Sequence, residues 1–218
     1  MTDNSSLLAQ SEKLKTLKLG TAALPNPWVS EIVLQTNQYD WMKLWYEAVL
    51  GSDWFLENKP DTSVTVANHH GDGGKQVHAK DVRSCFMRLV TTYPYSVVFA
   101  LFEITTLRTA PTDDPGLNHM QLKHPDLETL IRRIELLRDA DIHPHRSANH
   151  GPMTSFYFRD PDENIIELCI DNFESPADMA AFIQSDAFKA NPSGIDIERD
   201  EFIARFRAGV AREELLAI

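Results

Sequence analysis

Ser155-Phe-Tyr-Phe-Arg-Asp-Pro-Asp-Glu-Asn-Ile-Ile-Glu-Leu-Cys169 decides how the chain is read. Ser155 to Arg159 alternates and is rich in aromatics, Asp160 to Asn164 is a cluster of turn formers, and Ile165 to Ile170 is a β-rich run. The stretch is therefore strand, tight turn, strand. Glu167 is its odd residue. A carboxylate among Ile165, Ile166, Leu168 and Ile170 must point to solvent or find a donor or a cation, and a metal is the sharpest candidate. Strand parity sets Ile165, Glu167 and Cys169 on one face, with Tyr157 across the hairpin.

Working upstream, Leu117 to His124 reads as a strand containing His119, and Asp126 caps a helix whose Leu127, Leu130, Ile131, Ile134 and Leu137 form one apolar face. A His-rich loop (His143, His145, His150) leads into the hairpin. The same order is expected earlier. Trp28 to Thr36 is a strand holding Glu31, and Tyr39 to Leu50 is a helix stopped by Gly51 with Trp41 and Trp45 in the core. Val64 to Ala67 is a weak strand, His69 to Gly74 is a loop lacking the Lys-Ser/Thr of a phosphate loop, and Ser84 to Val90 and Val97 to Thr105 are strands around Tyr93-Pro-Tyr95. Glu103 lies on the last of these, and Thr109 to Gly116 reads as a linker. The plan is an N-terminal arm (1–27), a first βαβββ module (28–108), a second (116–173) and a helical extension (174–218). The extension carries two helices, Asp171 to Asn191 and Arg199 to Ile218, read as a packing or dimerisation appendage.

The 218 residues suffice for a sizeable core, and 43% hydrophobic with 24% charged residues is an ordinary globular composition. A formal charge of −11 without a basic stripe excludes a general nucleic-acid binder and favours a small-molecule partner. Cys85 and Cys169, lacking CxxC spacing, read as buried thiols. No apolar stretch has the length of a membrane helix and the N-terminus lacks a signal-peptide core, so the expectation is a cytoplasmic protein away from membranes.

With His119 early in the second half and Glu167 at its end, the chain resembles the vicinal oxygen chelate superfamily, the glyoxalase/bleomycin-resistance/dioxygenase fold. Tyr157 to Leu168 is similar to that family's closing hairpin, with Glu163 where the family has glycine. The resemblance covers residues from about 28 to 173. Asp171-Asn-Phe and Asn191-Pro-Ser-Gly-Ile-Asp196 also resemble the extension of small single-domain biphenyl-2,3-diol 1,2-dioxygenase-like members. It implies an α+β fold of two βαβββ modules forming a cupped, open eight-stranded barrel with C-terminal helices added. It implies His119 and Glu167 as metal ligands, Tyr157 and His150 as groups orienting substrate and moving protons, and a divalent metal: Fe(II) first, with Zn, Ni, Co or Mn as alternatives. Many members dimerise, so a homodimer joins the expectations.

The departures concern the first half. Glu31 stands where extradiol dioxygenases place a third, histidine ligand, and Ser96-Val97 replace the expected histidine pair before the Ala-Leu of the last strand. Two histidines and one carboxylate leave a divalent ion with one positive charge; Glu31, His119 and Glu167 leave it neutral, and Glu103 would make it negative. The leading expectation is an extradiol-like dioxygenase acting on an oxygenated, aromatic small molecule. A second is a glyoxalase-like isomerase, lyase or epimerase with Glu31 or Glu103 as base. A third is a metal-independent binder that sequesters an aromatic compound.

Overall fold

The computed structural model describes residues 11–15, 17–18, 21–22, 29–60, 82–90, 97–105, 107 and 117–217. The strand expected at Val64 to Ala67, the loop with His69 and His70, His78, the Tyr93–Tyr95 turn and the Thr109–Gly116 linker lie outside them.

In the first half, β1 (Glu31–Thr36), α1 (Tyr39–Leu50), β2 (Trp54–Asn58), β3 (Ser84–Val90) and β4 (Val97–Glu103) follow in order. Their sheet runs β1-β4-β3-β2, with β1 parallel to β4 and the other pairs antiparallel. In α1, Tyr39, Met42, Trp45, Tyr46 and Val49 recur at three- and four-residue intervals, so burying that stripe holds the helix on the sheet. Gly51 ends the helix in the left-handed region at φ 65°, and its N–H reaches the Glu47 carbonyl at 2.9 Å. Trp41, expected in the core, lies off the stripe and is 56% exposed, whereas Trp45 is buried.

The second half repeats the order with β5 (His119–Lys123), α2 (Leu127–Asp139), β6 (Arg146–Asn149), β7 (Met153–Arg159) and β8 (Ile165–Asp171). Asp126 caps α2 by accepting the Thr129 N–H at 2.6 Å. The sheet runs β5-β8-β7-β6-β9, and β9 (Ile195–Asp196), which sequence patterning does not announce, is added by the C-terminal extension. The fold is thus α+β with two βαβββ modules. Its four- and five-stranded sheets are hydrogen-bonded separately and are not closed into a barrel. The hairpin turn holds Glu163 at φ 69°, the position where glycine is at ease. Cys85 and Cys169 are free and buried.

Four short helices follow: α3 (Pro176–Gln184), α4 (Asp186–Ala190), α5 (Arg199–Arg207) and α6 (Arg212–Leu215). The single helix expected from Asp171 to Asn191 is divided because Ser185 leaves helical geometry and its hydroxyl caps the next segment at the Phe188 N–H. Phe202, Ile203, Leu215 and Leu216 join one core with the inner faces of α1, α2 and both sheets. Polar bonds tie the halves together: Tyr46 donates its hydroxyl to Asp160 at 2.8 Å, Gln38 donates to the Pro161 carbonyl at 2.9 Å, and Arg133 donates to the Val49 carbonyl at 2.6 Å.

Candidate functional site

The face of the second sheet turned away from the helices carries the polar chemistry. Register alone dictates this. Gln121 and Tyr157 both stand opposite Glu167, and Ser155 stands opposite Cys169. The alternate residues Met120, Phe156, Phe158, Ile166 and Leu168 point into the core. Glu167 is 1% exposed and fully engaged. Its Oε1 accepts from the Ser155 hydroxyl at 2.5 Å and from Gln121 Nε2 at 3.0 Å, and its Oε2 lies 3.1 Å from His119 Nε2.

The His119 ring has its Nδ1 2.7 Å from Asn118 Oδ1. A proton on Nδ1 satisfies that amide oxygen and leaves the Nε2 lone pair facing the carboxylate. Two acceptors so placed require a proton or a cation between them. The 3.1 Å separation suits a metal as well, because two donors at right angles on an ion with bonds of about 2.1 Å lie about 3 Å apart. His119 and Glu167 therefore fit a divalent ion, with Ser155, Gln121 and Asn118 fixing the two ligands from behind.

Beside this pair stands a second. His150 Nε2 is 2.8 Å from the Tyr157 hydroxyl, while its Nδ1 is 2.8 Å from the Ser193 carbonyl. The His119 and Tyr157 ring centres are 6.2 Å apart, edge to face, so the two pairs adjoin. Burial first, and the negative charge of Glu167 next, push the Tyr157 phenol up to about 12, which keeps it protonated at neutral pH.

Of the residues singled out from sequence, the structure thus brings together His119, Glu167, Tyr157 and His150. It does not bring Glu31 or Glu103 to them, and among the described residues no group of three or more His, Cys, Asp or Glu side chains is placed to hold a metal. Glu31 opens β1 in the other sheet, exposed and in register with Val98. Glu103 ends β4 in register with Thr36, and its odd separation from Ala100 turns it to the opposite face from that residue. Ser155, Gln121, Asn118 and Ser193 were not expected. The first two were discoverable, since each sits two residues from a named site residue on the same strand.

The chain belongs to the Glyoxalase/Bleomycin resistance protein/Dioxygenase superfamily, whose profile matches residues 28–168. Two proteins of Rhodococcus globerulus are relatives over most of their length. Biphenyl-2,3-diol 1,2-dioxygenase 3 is 31% identical over 189 residues, 87% of each chain, and biphenyl-2,3-diol 1,2-dioxygenase 2 is 27% identical, covering 79% of this chain and 77% of that one. Among solved structures, a glyoxylase/bleomycin resistance protein/dioxygenase domain from Frankia sp. EAN1pec aligns at TM-score 0.49 and 17% identity, covering 70% of this chain and 96% of the other. The fosfomycin resistance protein FosX from Listeria monocytogenes aligns at TM-score 0.44 and 10% identity, covering 67% and 93%. Membership and the dioxygenase relatives imply a divalent metal.

Proposed function

We propose that the chain is a metal-dependent dioxygenase that opens the ring of a vicinal aromatic diol next to its hydroxyl-bearing carbons. The observation that carries the reading is the adjacency of the His119–Glu167 pair and the His150–Tyr157 pair on one sheet face. The names of the Rhodococcus relatives supply the substrate class, a biphenyl-diol or similar catechol.

His119 and Glu167 would hold the ion, Fe(II) foremost. Such an ion, when bound, would supply the Lewis acidity and redox activity that ring opening by dioxygen needs. The protein's share is proton handling. With Tyr157 donating its O–H to His150 Nε2, its oxygen acts as the acceptor toward a substrate hydroxyl, Ser155 and Glu167 standing within reach of the same phenol. A proton leaving the diol then passes to the Tyr157 oxygen as the Tyr157 proton passes to His150 Nε2. Tyr157 ends neutral and His150 ends as imidazolium. This assigns to His150 the base role for which the isomerase alternative would use Glu31 or Glu103, neither of which is brought to the pair.

The test is oxygen uptake by Fe(II)-loaded protein over a panel of catechols including biphenyl-2,3-diol, with labelled dioxygen. Uptake with both labelled atoms in a ring-opened product, lost in Glu167→Gln, supports the reading. Solvent-hydrogen exchange into substrate without oxygen consumption would overturn it in favour of the isomerase.

A further inference from the structure

The turn that presents His150 is clamped by the C-terminal extension from two directions. On one side, residues 191–194 form a tight turn: the Gly194 N–H reaches the Asn191 carbonyl at 3.2 Å and Asn191 Nδ2 reaches the Gly194 carbonyl at 2.7 Å. This turn lays the Ser193 carbonyl 2.8 Å from His150 Nδ1, and β9 then pairs Ile195 with Asn149 and Asp196 with Ala148. On the other side, Asn149 is 2% exposed and donates to the Leu216 carbonyl at 2.9 Å, beyond the end of α6. Its Oδ1 accepts the Gly151 N–H at 2.9 Å and Asn172 Nδ2 at 2.8 Å.

A carbonyl only accepts. The Ser193 oxygen therefore puts the neutral imidazole's single proton on Nδ1 and leaves Nε2 as a lone pair aimed at the Tyr157 hydroxyl. Free histidine favours the opposite tautomer, with the proton on Nε2, in which His150 would donate to the Tyr157 oxygen, the phenol hydrogen would have to turn away, and Nδ1 would face the Ser193 carbonyl as one acceptor against another. We infer that the 191–196 segment of the C-terminal extension is a positioning element, which fixes His150 in the Nδ1–H tautomer and so makes it the proton acceptor for Tyr157. This rests on the proton relay assigned above and deepens it. The Ser193 carbonyl also faces the positive charge that His150 acquires after transfer, as an orienting carboxylate does behind a catalytic imidazole.

Gly194 is the residue whose identity the arrangement requires. It sits at φ +73°, and a Cβ there would overlap the Asn149 carbonyl oxygen and the His150 backbone. A side chain at 194 must lift the segment from the His150 turn. The serine at 193 contributes only its backbone, so its replacement would leave the contact in place.

The experiment reads the His150 tautomer from imidazole ¹⁵N shifts in the full-length protein near pH 8, where histidine is ordinarily neutral. The inference expects Nδ1–H in the wild type, a shift toward Nε2–H in Gly194→Ala, and a partial shift in the milder Asn191→Ala, which removes the bond bracing the turn. If Gly194→Ala does not fold, Asn191→Ala decides. In the Fe(II)-loaded enzyme the same variants should lower kcat about tenfold or more, with KM changing less than threefold, because the relay and not diol chelation is disturbed. Nε2–H in the wild type, or Nδ1–H retained in both variants, would overturn the inference. The two readings fail separately: the expected tautomers without oxygen uptake would leave the positioning role standing and remove ring cleavage. Oxygen uptake with His150 in the Nε2–H form would do the reverse.

Discussion

The hydroxyl of Tyr46 joins the first helix to the hairpin that carries Tyr157 and Glu167, and removing it should loosen that junction by a measurable amount. Tyr46 is fully buried, and Asp160 is 2% exposed. The Asp160 carboxylate accepts four hydrogen bonds, from the N–H groups of Asp162 and Asn164 on Oδ1 and from Asn164 Nδ2 and the Tyr46 hydroxyl on Oδ2. Tyr46→Phe deletes one bond to a buried charge while keeping the ring contact with Phe99 at 4.4 Å between centroids. A bond of this kind contributes about 1.5–3 kcal/mol, so a loss of about 2 kcal/mol is expected at neutral pH. For a chain of this length that lowers Tm by about 4–8 °C.

The sign with pH follows from Asp160. Burial raises its pKa, and the bonds from Asn164 and Tyr46 pull it part of the way back. A folded pKa above the unfolded one means that Asp160 favours folding most at low pH and loses that contribution as pH rises through the folded value. Tyr46→Phe raises the folded value further, so the variant loses more on that rise. The cost of the substitution is therefore largest at neutral pH and shrinks toward about 1 kcal/mol once Asp160 is protonated and the bond is between neutral groups. Urea unfolding of wild type, Tyr46→Phe, Asp160→Asn and the double variant measures the coupling. A Tyr46→Phe protein within about 0.5 kcal/mol of wild type at pH 7, with no dependence on pH, would refute the reasoning.

Further outcomes follow from the same contacts. Ser155→Ala should weaken divalent-metal binding about 10- to 100-fold without unfolding the protein, because it removes a donor that orients Glu167 rather than a ligand; a competition titration reads this. Tyr39, Tyr46 and Tyr157 all have phenols raised above the ordinary value, chiefly by burial. Their contribution is intact below about pH 10 and is lost above it, Tyr157 ceasing to add to the loss past about 12. Stability should fall by up to about 4 kcal/mol per pH unit in that window, and Tyr46→Phe should make the slope shallower by about a third. Glu163→Gly should stabilise by about 0.5–1 kcal/mol in the urea midpoint, since the turn keeps its backbone bonds and loses a left-handed side chain.

Where sequence could be read, the cause was a local and repetitive constraint. The α1 and α2 stripes, the Gly51 stop, the Asp126 cap and the hairpin each follow from residues within a few positions of one another. Two strands escaped for opposite reasons. β6, Arg-Ser-Ala-Asn, buries Ser147, Ala148 and Asn149 between β7 and β9, so its interior residues are small or polar and carry no hydrophobic period. β2 leaves Phe55 50% and Leu56 52% exposed, so its apolar residues do not alternate with burial. Trp41 is expected on the apolar face of α1 with Trp45 from helical spacing, yet the buried stripe runs through Tyr39, Met42, Trp45, Tyr46 and Val49 and leaves it exposed. At the site, His119 and Glu167 were legible because a strand presents alternate residues to one face. The Ser193 carbonyl was not, since every residue has one and only a long-range fold brings this one to His150; Gly194 was its one trace in the sequence. Glu103 satisfied residue type without satisfying register, since parity sets it on the helix-packed face with Phe99 and Leu101, whereas Glu31 has the parity of Val98 and Ala100 but belongs to the other sheet and is not grouped with the pair.

On the proposed reading, His119 and Glu167 together hold a divalent ion. The most direct test is the metal-to-protein ratio of anaerobically Fe(II)-reconstituted and desalted protein, measured by elemental analysis for wild type, His119→Ala and Glu167→Gln, with circular dichroism to establish folding. A ratio near one is expected in the wild type, lost in both folded variants. A folded wild type that retains no metal, or variants that retain it undiminished, would contradict that reading.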